Sequence, residues 1–235
     1  KAATQQTSGG NPGTGGTGGG GAGGGISSGG NSNSGINGDF KIEPVKEENT
    51  EPEDLFADLA SSDWAREYIN RLAQSGIING KGNGKFEPES YVTREEFAKI
   101  VLEAVKFEKL DGEVSFDDVN SKDWYYDFVT QAYLCGIIKG ESETTFGSGK
   151  NITRQDMAVM IENFSKYMSK TVPSMEAGKT FADDSRIASY AKNAVASLQK
   201  AGIISGDVNG KFLPQSSATR AQAAKMITVY MQVTA

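Results

Sequence analysis

The 235-residue chain contains no histidine. That excludes Ser-His-Asp and Cys-His catalysis, and every zinc site that depends on imidazole. Its one cysteine, Cys135, allows no internal disulfide. Ser75 and Ala201 hold the same place in the repeat set out below, so Cys135 reads as a small packing residue. No apolar run approaches the ~18 residues of a membrane span. Lys1 is followed by polar residues and glycine rather than the apolar stretch of a signal peptide, and the chain reads as the mature C-terminal part of something longer. Basic excess is missing too: the net charge is −6. The chain lacks the basic face that nucleic acid requires. Acids are abundant but scattered over linkers and helix starts, with no pair set apart for two-carboxylate glycoside chemistry. No catalysis, cofactor or metal is expected.

Glycine is present but unevenly placed. Sixteen of the 29 glycines fall in residues 1–38, where the only charge is Lys1. Such a segment cannot bury a core and reads as a disordered Gly/Ser/Thr/Asn tail. Residues 39–54 hold seven acids, two lysines and two prolines, a solvated extended connector by composition. Together they predict a flexible linker over 1–52.

The rest is a repeat. Thr93-Arg94-Glu95-Glu96 returns as Thr153-Arg154-Gln155-Asp156 and as Thr219-Arg220-Ala221-Gln222, at spacings of 60 and 66 residues. Such a period sets the architecture before any local reading. Thr followed three residues later by Glu or Gln, ahead of an apolar run, is the signature of a capping box. The Thr hydroxyl accepts the N3 amide, and the N3 side chain returns to the N-cap amide. Thr93 with Glu96 and Thr219 with Gln222 fit it; Thr153 with Asp156 is a shorter version. The arginines fit less well, because a cation at N1 meets the positive end of the helix dipole, a cost of roughly 0.3–1 kcal/mol. Two uses are open. Arg beside free helix N-terminal amides makes an anion site, or each Arg pairs with an acid of a neighbouring repeat and holds the modules together.

Other landmarks keep step. Each module opens on Phe56-Ala57-Asp58, Phe116-Asp117-Asp118 or Phe181-Ala182-Asp183. An aromatic then starts a helix at Trp64, Trp124 or Tyr190, with Ser62 or Asp63 as N-cap in the first copy. Trp64, Tyr68 and Leu72 form one stripe of that helix. Trp64 and Trp124 read chiefly as core, with an exposed indole stacking on a sugar as the alternative. Gly76, Gly136 and Gly202 end the helix, and an Ile-Ile pair follows each. Next come Gly80, Gly140 or Gly206, a polar loop, and Phe86, Phe146 or Phe212. Pro88 and Pro214 follow in two copies, but Ser148 in the second. The second helix carries its apolar face on Phe97, Ile100, Val101 and Ala104, and on the corresponding residues of the other copies. Asp207-Val208-Asn209-Gly210 imitates the start of a calcium loop, but Lys211 and Ala218 occupy ligand positions, so it reads as a turn. No Walker Lys-Ser/Thr follows the glycines. The predicted fold is mainly α: three helix-loop-helix modules over 53–110, 111–174 and 175–235, each marginal alone and stable by sharing a core.

Phe-x-Asp, Trp, Gly-Ile-Ile-x-Gly, Gly-x-Phe-x-Pro and Thr-Arg-x-Glu, in that order and three times over, resemble S-layer homology (SLH) domains across about residues 54–235. The resemblance implies a pseudo-threefold bundle with one helix of each module at its centre. It implies an extracellular module that attaches a cargo, lying N-terminal to the Gly-rich stretch, to the bacterial wall. Its partner there would be a secondary cell wall polysaccharide with pyruvylated N-acetylmannosamine, bound in grooves between modules. Arg94, Arg154 and Arg220 would then recognise the anionic sugar, with Trp64, Trp124, Tyr190, Gly80, Gly140 and Gly206 lining the grooves. The third module departs from the pattern at Tyr190 and Gln222, which favours the grooves of Arg94 and Arg154 over that of Arg220. A protein-binding or self-assembly module without glycan is the competing function.

Overall fold

The structure, a computed structural model, describes residues 36–40, 54–107 and 109–235. Apart from Ile36–Phe40, the predicted linker lies outside the described residues. Helices α1 (Arg66–Gln74), α2 (Arg94–Glu103), α3 (Tyr126–Leu134), α4 (Arg154–Tyr167), α5 (Lys192–Lys200) and α6 (Arg220–Thr234) follow in pairs, two to a repeat. The mainly helical class is as expected.

The sequence pattern explains most boundaries. Thr93, Thr153 and Thr219 each accept the N3 amide at the start of α2, α4 and α6. Glu96 and Gln222 return to the N-cap amide. Asp156 is one carbon shorter, and its carboxylate instead takes the Thr153 hydroxyl at 2.6 Å. Gly76, Gly136 and Gly202 have φ near +70°. At α1 the Gly76 amide donates to Ala73 O and the Ile77 amide to Leu72 O, which is a Schellman closure.

The first helices depart from expectation. Neither Ser62 nor Asp63 caps α1. A 3-10 helix over Leu59–Ala65 leads into it, and no side chain caps its start. Trp64 lies in that turn, and Tyr190 lies in a 3-10 turn over Ser189–Ala191 before α5. The aromatics therefore precede the helices instead of belonging to their apolar stripe.

The two helices of a repeat pack chiefly on different neighbours: α1 on α6, α3 on α2, and α5 on α4. Each first helix thus rests on the second helix of the preceding repeat, and the third repeat returns to the first. A ring of backbone hydrogen bonds closes the same circuit. Val92 N donates to Ala218 O at 3.1 Å, Ala218 N to Ile152 O at 2.9 Å, and Ile152 N to Val92 O at 3.0 Å. All three residues are fully buried. Around this pseudo-threefold centre the helices α2, α4 and α6 bury Phe97, Met157, Phe164, Ile227 and Tyr230.

Part of the predicted linker is structured. Strand β1 (Ile36–Phe40) pairs antiparallel with β2 (Val105–Phe107), which follows α2. Phe40 meets the Tyr230 ring edge-on at 6.0 Å, and the Lys170 ammonium lies 5.2 Å from the Phe40 ring. Composition concealed this strand because few of its residues are apolar; the ladder and one phenyl ring hold it.

Within each repeat an aspartate pins the loop. Asp58 accepts the Phe86 and Glu87 amides, Asp118 those of Phe146, Gly147 and Ser148, and Asp183 those of Phe212 and Leu213, all at 2.7–2.9 Å. Glu87 and Leu213 hold φ near +60°, a region L-residues rarely adopt, and the carboxylate fixes their amides there. Desolvation pushes the Asp58 and Asp118 carboxyls up, but the amides outweigh it and hold both below the ordinary 3.8.

The stability these two carboxylates contribute is therefore complete above that value and is lost as pH falls through the lower folded value. Asp118→Asn should flatten the acid dependence, read as the Tm difference between about pH 6 and about pH 3. A Cβ on Gly140 would meet Ser142 O at 2.3 Å and the Phe116 ring at 2.7 Å, and one on Gly80 would meet Lys85 O at 2.6 Å. Gly206 has more room, with its nearest contact at 3.1 Å. Gly140→Ala and Gly80→Ala should each cost about 1–3 kcal/mol in urea unfolding, and Gly206→Ala clearly less.

Candidate functional site

The motif arginines leave their own repeat. Arg94, at the start of α2, donates from Nε to Phe146 O at 3.1 Å and from Nη2 to Lys139 O at 3.0 Å, both in repeat 2. Arg220, at the start of α6, does the same to repeat 1: Nε to Phe86 O at 2.9 Å and Nη2 to Asn79 O at 2.7 Å. Arg154, at the start of α4, donates Nε to Phe212 O of repeat 3 at 2.8 Å. Each guanidinium also faces the ring whose carbonyl it holds, at 5.0 Å for Phe146, 5.0 Å for Phe212 and 4.3 Å for Phe86. The arginines thus join the modules through backbone carbonyls, not through acids.

The helix N-termini are not the free amides expected beside them. Arg94 N donates to Lys150 O, Arg154 N to Ser216 O and Arg220 N to Ser90 O, at 2.9–3.0 Å. The next amides, of Gln155 and Ala221, donate to Pro214 O and Pro88 O. An anion here would meet side chains only. At the Ser148 seam the polarity reverses, and the buried Glu95 carboxylate accepts the Gly149 amide at 3.1 Å.

Among the described residues, two grooves open at these seams, and each draws on all three repeats. The first, of about 780 Å³, brings together Arg94 of repeat 1, Gly140 and Asp156 of repeat 2, and Tyr190 of repeat 3. The Tyr190 hydroxyl donates to Asp156 Oδ1 at 2.6 Å and accepts from Gln155 Nε2 at 3.0 Å. Desolvation and the Asp156 charge push that hydroxyl up to about 12, so it remains a proton donor. The second, of about 300 Å³, brings together Arg154 of repeat 2, Gly206 and Gln222 of repeat 3, and Trp64 of repeat 1. At the third seam Lys81 pairs with Glu96, whose charge also acts on Arg220. Trp124 lines neither cavity; its ring meets Tyr125 edge-on at 5.4 Å.

The core reading of the tryptophans is overturned. Trp64 is 51% exposed and Trp124 58%, with Tyr190 at 60%. Because each lies in the turn before its helix, the ring stays off the buried stripe, and those of Trp64 and Tyr190 fall at a seam. The grouping of departures also changes. Tyr190 and Gln222 do not share a groove with Arg220: Tyr190 belongs with Arg94, and Gln222 with Arg154. Only the cyclic packing assigns them so. The loop-pinning Asp58, Asp118 and Asp183 were not singled out as site builders. Their signal was a fixed spacing of 28 or 29 residues to the following Phe. The carboxylate of Asp207 accepts the Asn209 and Lys211 amides of its own loop at 2.8 and 2.9 Å, which fits the turn reading.

Fold and seams together define a closed three-repeat module whose grooves are shared among its repeats. The S-layer homology domain model matches the chain three times, over residues 55–98, 115–158 and 180–224. The chain belongs to the S-layer homology domain family. It is similar to an amylopullulanase of Thermoanaerobacterium thermosulfurigenes, 36% identical over 70% of this chain and 9% of that protein. It is also similar to exoglucanase XynX of Acetivibrio thermocellus, 35% identical over 70% of this chain and 15% of that protein. A third relative is the surface-layer 125 kDa protein of Lysinibacillus sphaericus, 32% identical over 64% of this chain and 12% of that protein. The chain thus spans only a small part of each relative. Membership makes the three repeats a non-catalytic module whose general role is cell-wall anchoring at the cell surface. No helix among the described residues is long and apolar enough to cross a membrane.

The arginines should differ as structural ties. Arg220 is 7% exposed and makes two charge-assisted bonds, so Arg220→Ala should cost about 2–3 kcal/mol. Arg94→Ala should cost less, and Arg154→Ala least, in urea unfolding of the three variants side by side.

Proposed function

We propose that the module holds its protein on the bacterial wall by binding a secondary cell wall polysaccharide that carries pyruvylated N-acetylmannosamine. One observation carries the reading: in two grooves a guanidinium from one repeat and an exposed aromatic ring from another face the same cavity. An aromatic face takes the apolar side of a sugar ring. A guanidinium takes a carboxylate by charge-assisted hydrogen bonds, stronger than neutral ones. The arginines do both jobs in this reading, since Arg94 spends Nε and one Nη on carbonyls and keeps its charge beside the cavity. Gly140 and Gly206 line the two grooves without side chains, although a Cβ on either would first meet its own loop. The cargo is a region N-terminal to the Gly-rich stretch, consistent with the greater length of the relatives.

Calorimetric titration of the full chain with purified wall polymer, native and stripped of pyruvate, tests this. Native polymer should bind, and removal of pyruvate should weaken binding at least tenfold. Equal affinity for both would remove anion capture from the reading. Binding of neither would end the glycan reading in favour of a protein partner.

A further inference from the structure

The three seams are chemically unequal. We propose that the Arg154 groove is the dominant anion site of this chain, with Lys225 as a second cation that grips the same acidic sugar substituent as Arg154. The proposal rests on the glycan reading above and deepens it.

Four features of the groove support this. First, Arg154 is the least engaged of the three arginines. Its side-chain hydrogen bond runs from Nε to Phe212 O, and among the described residues its Nη groups have no hydrogen-bond partner. Arg94 and Arg220 commit Nη2 to Lys139 O and Asn79 O. Second, the N3 residue beside the cavity is neutral. Gln222 lines it where Asp156 lines the Arg94 groove and Glu96 stands near Arg220. Gln222 completes the capping box as an acid would, so the helix keeps its start while the groove loses a negative charge.

Third, Lys225 lines the same 300 Å³ cavity as Arg154, Gln222 and Trp64. Its ammonium lies 6.0 Å from the Trp64 ring and 3.5 Å from Ser205 Oγ, a loose hold at the outer limit of each interaction. Five residues after the motif arginine, the other helices carry Val159, which is uncharged, and Lys99, which rests over Phe128 at 5.5 Å. Fourth, the single acid on the Arg154 cavity wall, Asp207, is engaged by the amides of its own loop, and its charge, with that of Asp183, keeps Arg154 protonated against burial. The Arg94 groove carries Asp156 and Glu141 on its walls. An anionic substituent therefore meets Arg154, Lys225 and Lys211 against the single wall acid Asp207 in one groove, Arg94 and Lys139 balanced by Asp156 and Glu141 in the second, and a buried arginine beside a Lys81–Glu96 pair at the third. When Lys225 swings to the anion, the Trp64 face is uncovered for the sugar ring.

The test is calorimetric titration of the full chain with native pyruvylated polymer, with thermal unfolding of each variant recorded alongside. Gln222→Glu should weaken the tightest binding at least tenfold without lowering Tm, because glutamate caps the helix equally well. Lys225→Met should weaken it by a similar factor. Lys99→Met, the same change of charge at the same helix position, should leave it within twofold. The double variant Asp156→Gln with Val159→Lys should tighten binding at the Arg94 groove. Unaltered binding by both Gln222→Glu and Lys225→Met, in a chain that does bind polymer, would overturn this inference and leave the glycan reading standing. Failure of the unmodified chain to bind polymer would overturn both.

Discussion

Three backbone hydrogen bonds, each crossing a different seam, set the geometry from which the rest follows. Val92, Ile152 and Ala218 each donate to one neighbour and accept from the other, so no member is satisfied unless all three segments are present. A buried peptide group left without a partner costs about 1–3 kcal/mol, and all three ring residues are fully buried. The threonine that follows each ring residue caps a helix, and the arginine after it is aimed outward into the next repeat. The radial order of the molecule is thus ring, cap, arginine, groove. A slip of one residue at the ring would move every arginine off its phenylalanine carbonyl.

Much of this order was written in the chain. The threonine caps, the glycines with positive φ at helix ends, and the apolar faces led by Phe97, Met157 and Ala223 follow from local rules, which act over one or two turns. The grooves were legible only as residue types. That Trp64 faces Arg154, or that Tyr190 faces Asp156, depends on which repeat follows which around a closed circuit. No local periodicity encodes that. Amphipathic spacing even misled at Trp64, because the stripe it shares with Tyr68 and Leu72 assumes a helix already begun there, whereas α1 begins two residues later at Arg66. Strand β1 was hidden for the opposite reason: it is held mainly by its ladder and by Phe40.

The motif arginines resolve an apparent conflict between structure and function. A cation at N1 is poor for its helix, yet each guanidinium stacks on a phenyl ring and holds that residue's carbonyl. Burial lowers the basicity of Arg154 and Arg220, and nearby acids, Asp183 and Asp207 for the first and Glu96 for the second, counter it. A side chain that fastens a seam and also borders the cavity there is stiff before any ligand arrives, and stiffness reduces the ordering cost of binding. The same coupling means that the arginine with the strongest grip on its neighbour has the least left for a guest.

Because both grooves take a wall from every repeat, the triplet is the indivisible unit of this architecture. A chain shortened by one repeat does not keep two-thirds of its capacity; it keeps neither of these grooves intact, and the ring at the centre stays open. A groove of this kind closes only when three copies stand in the circle, whether they lie in one chain or are brought together from separate ones.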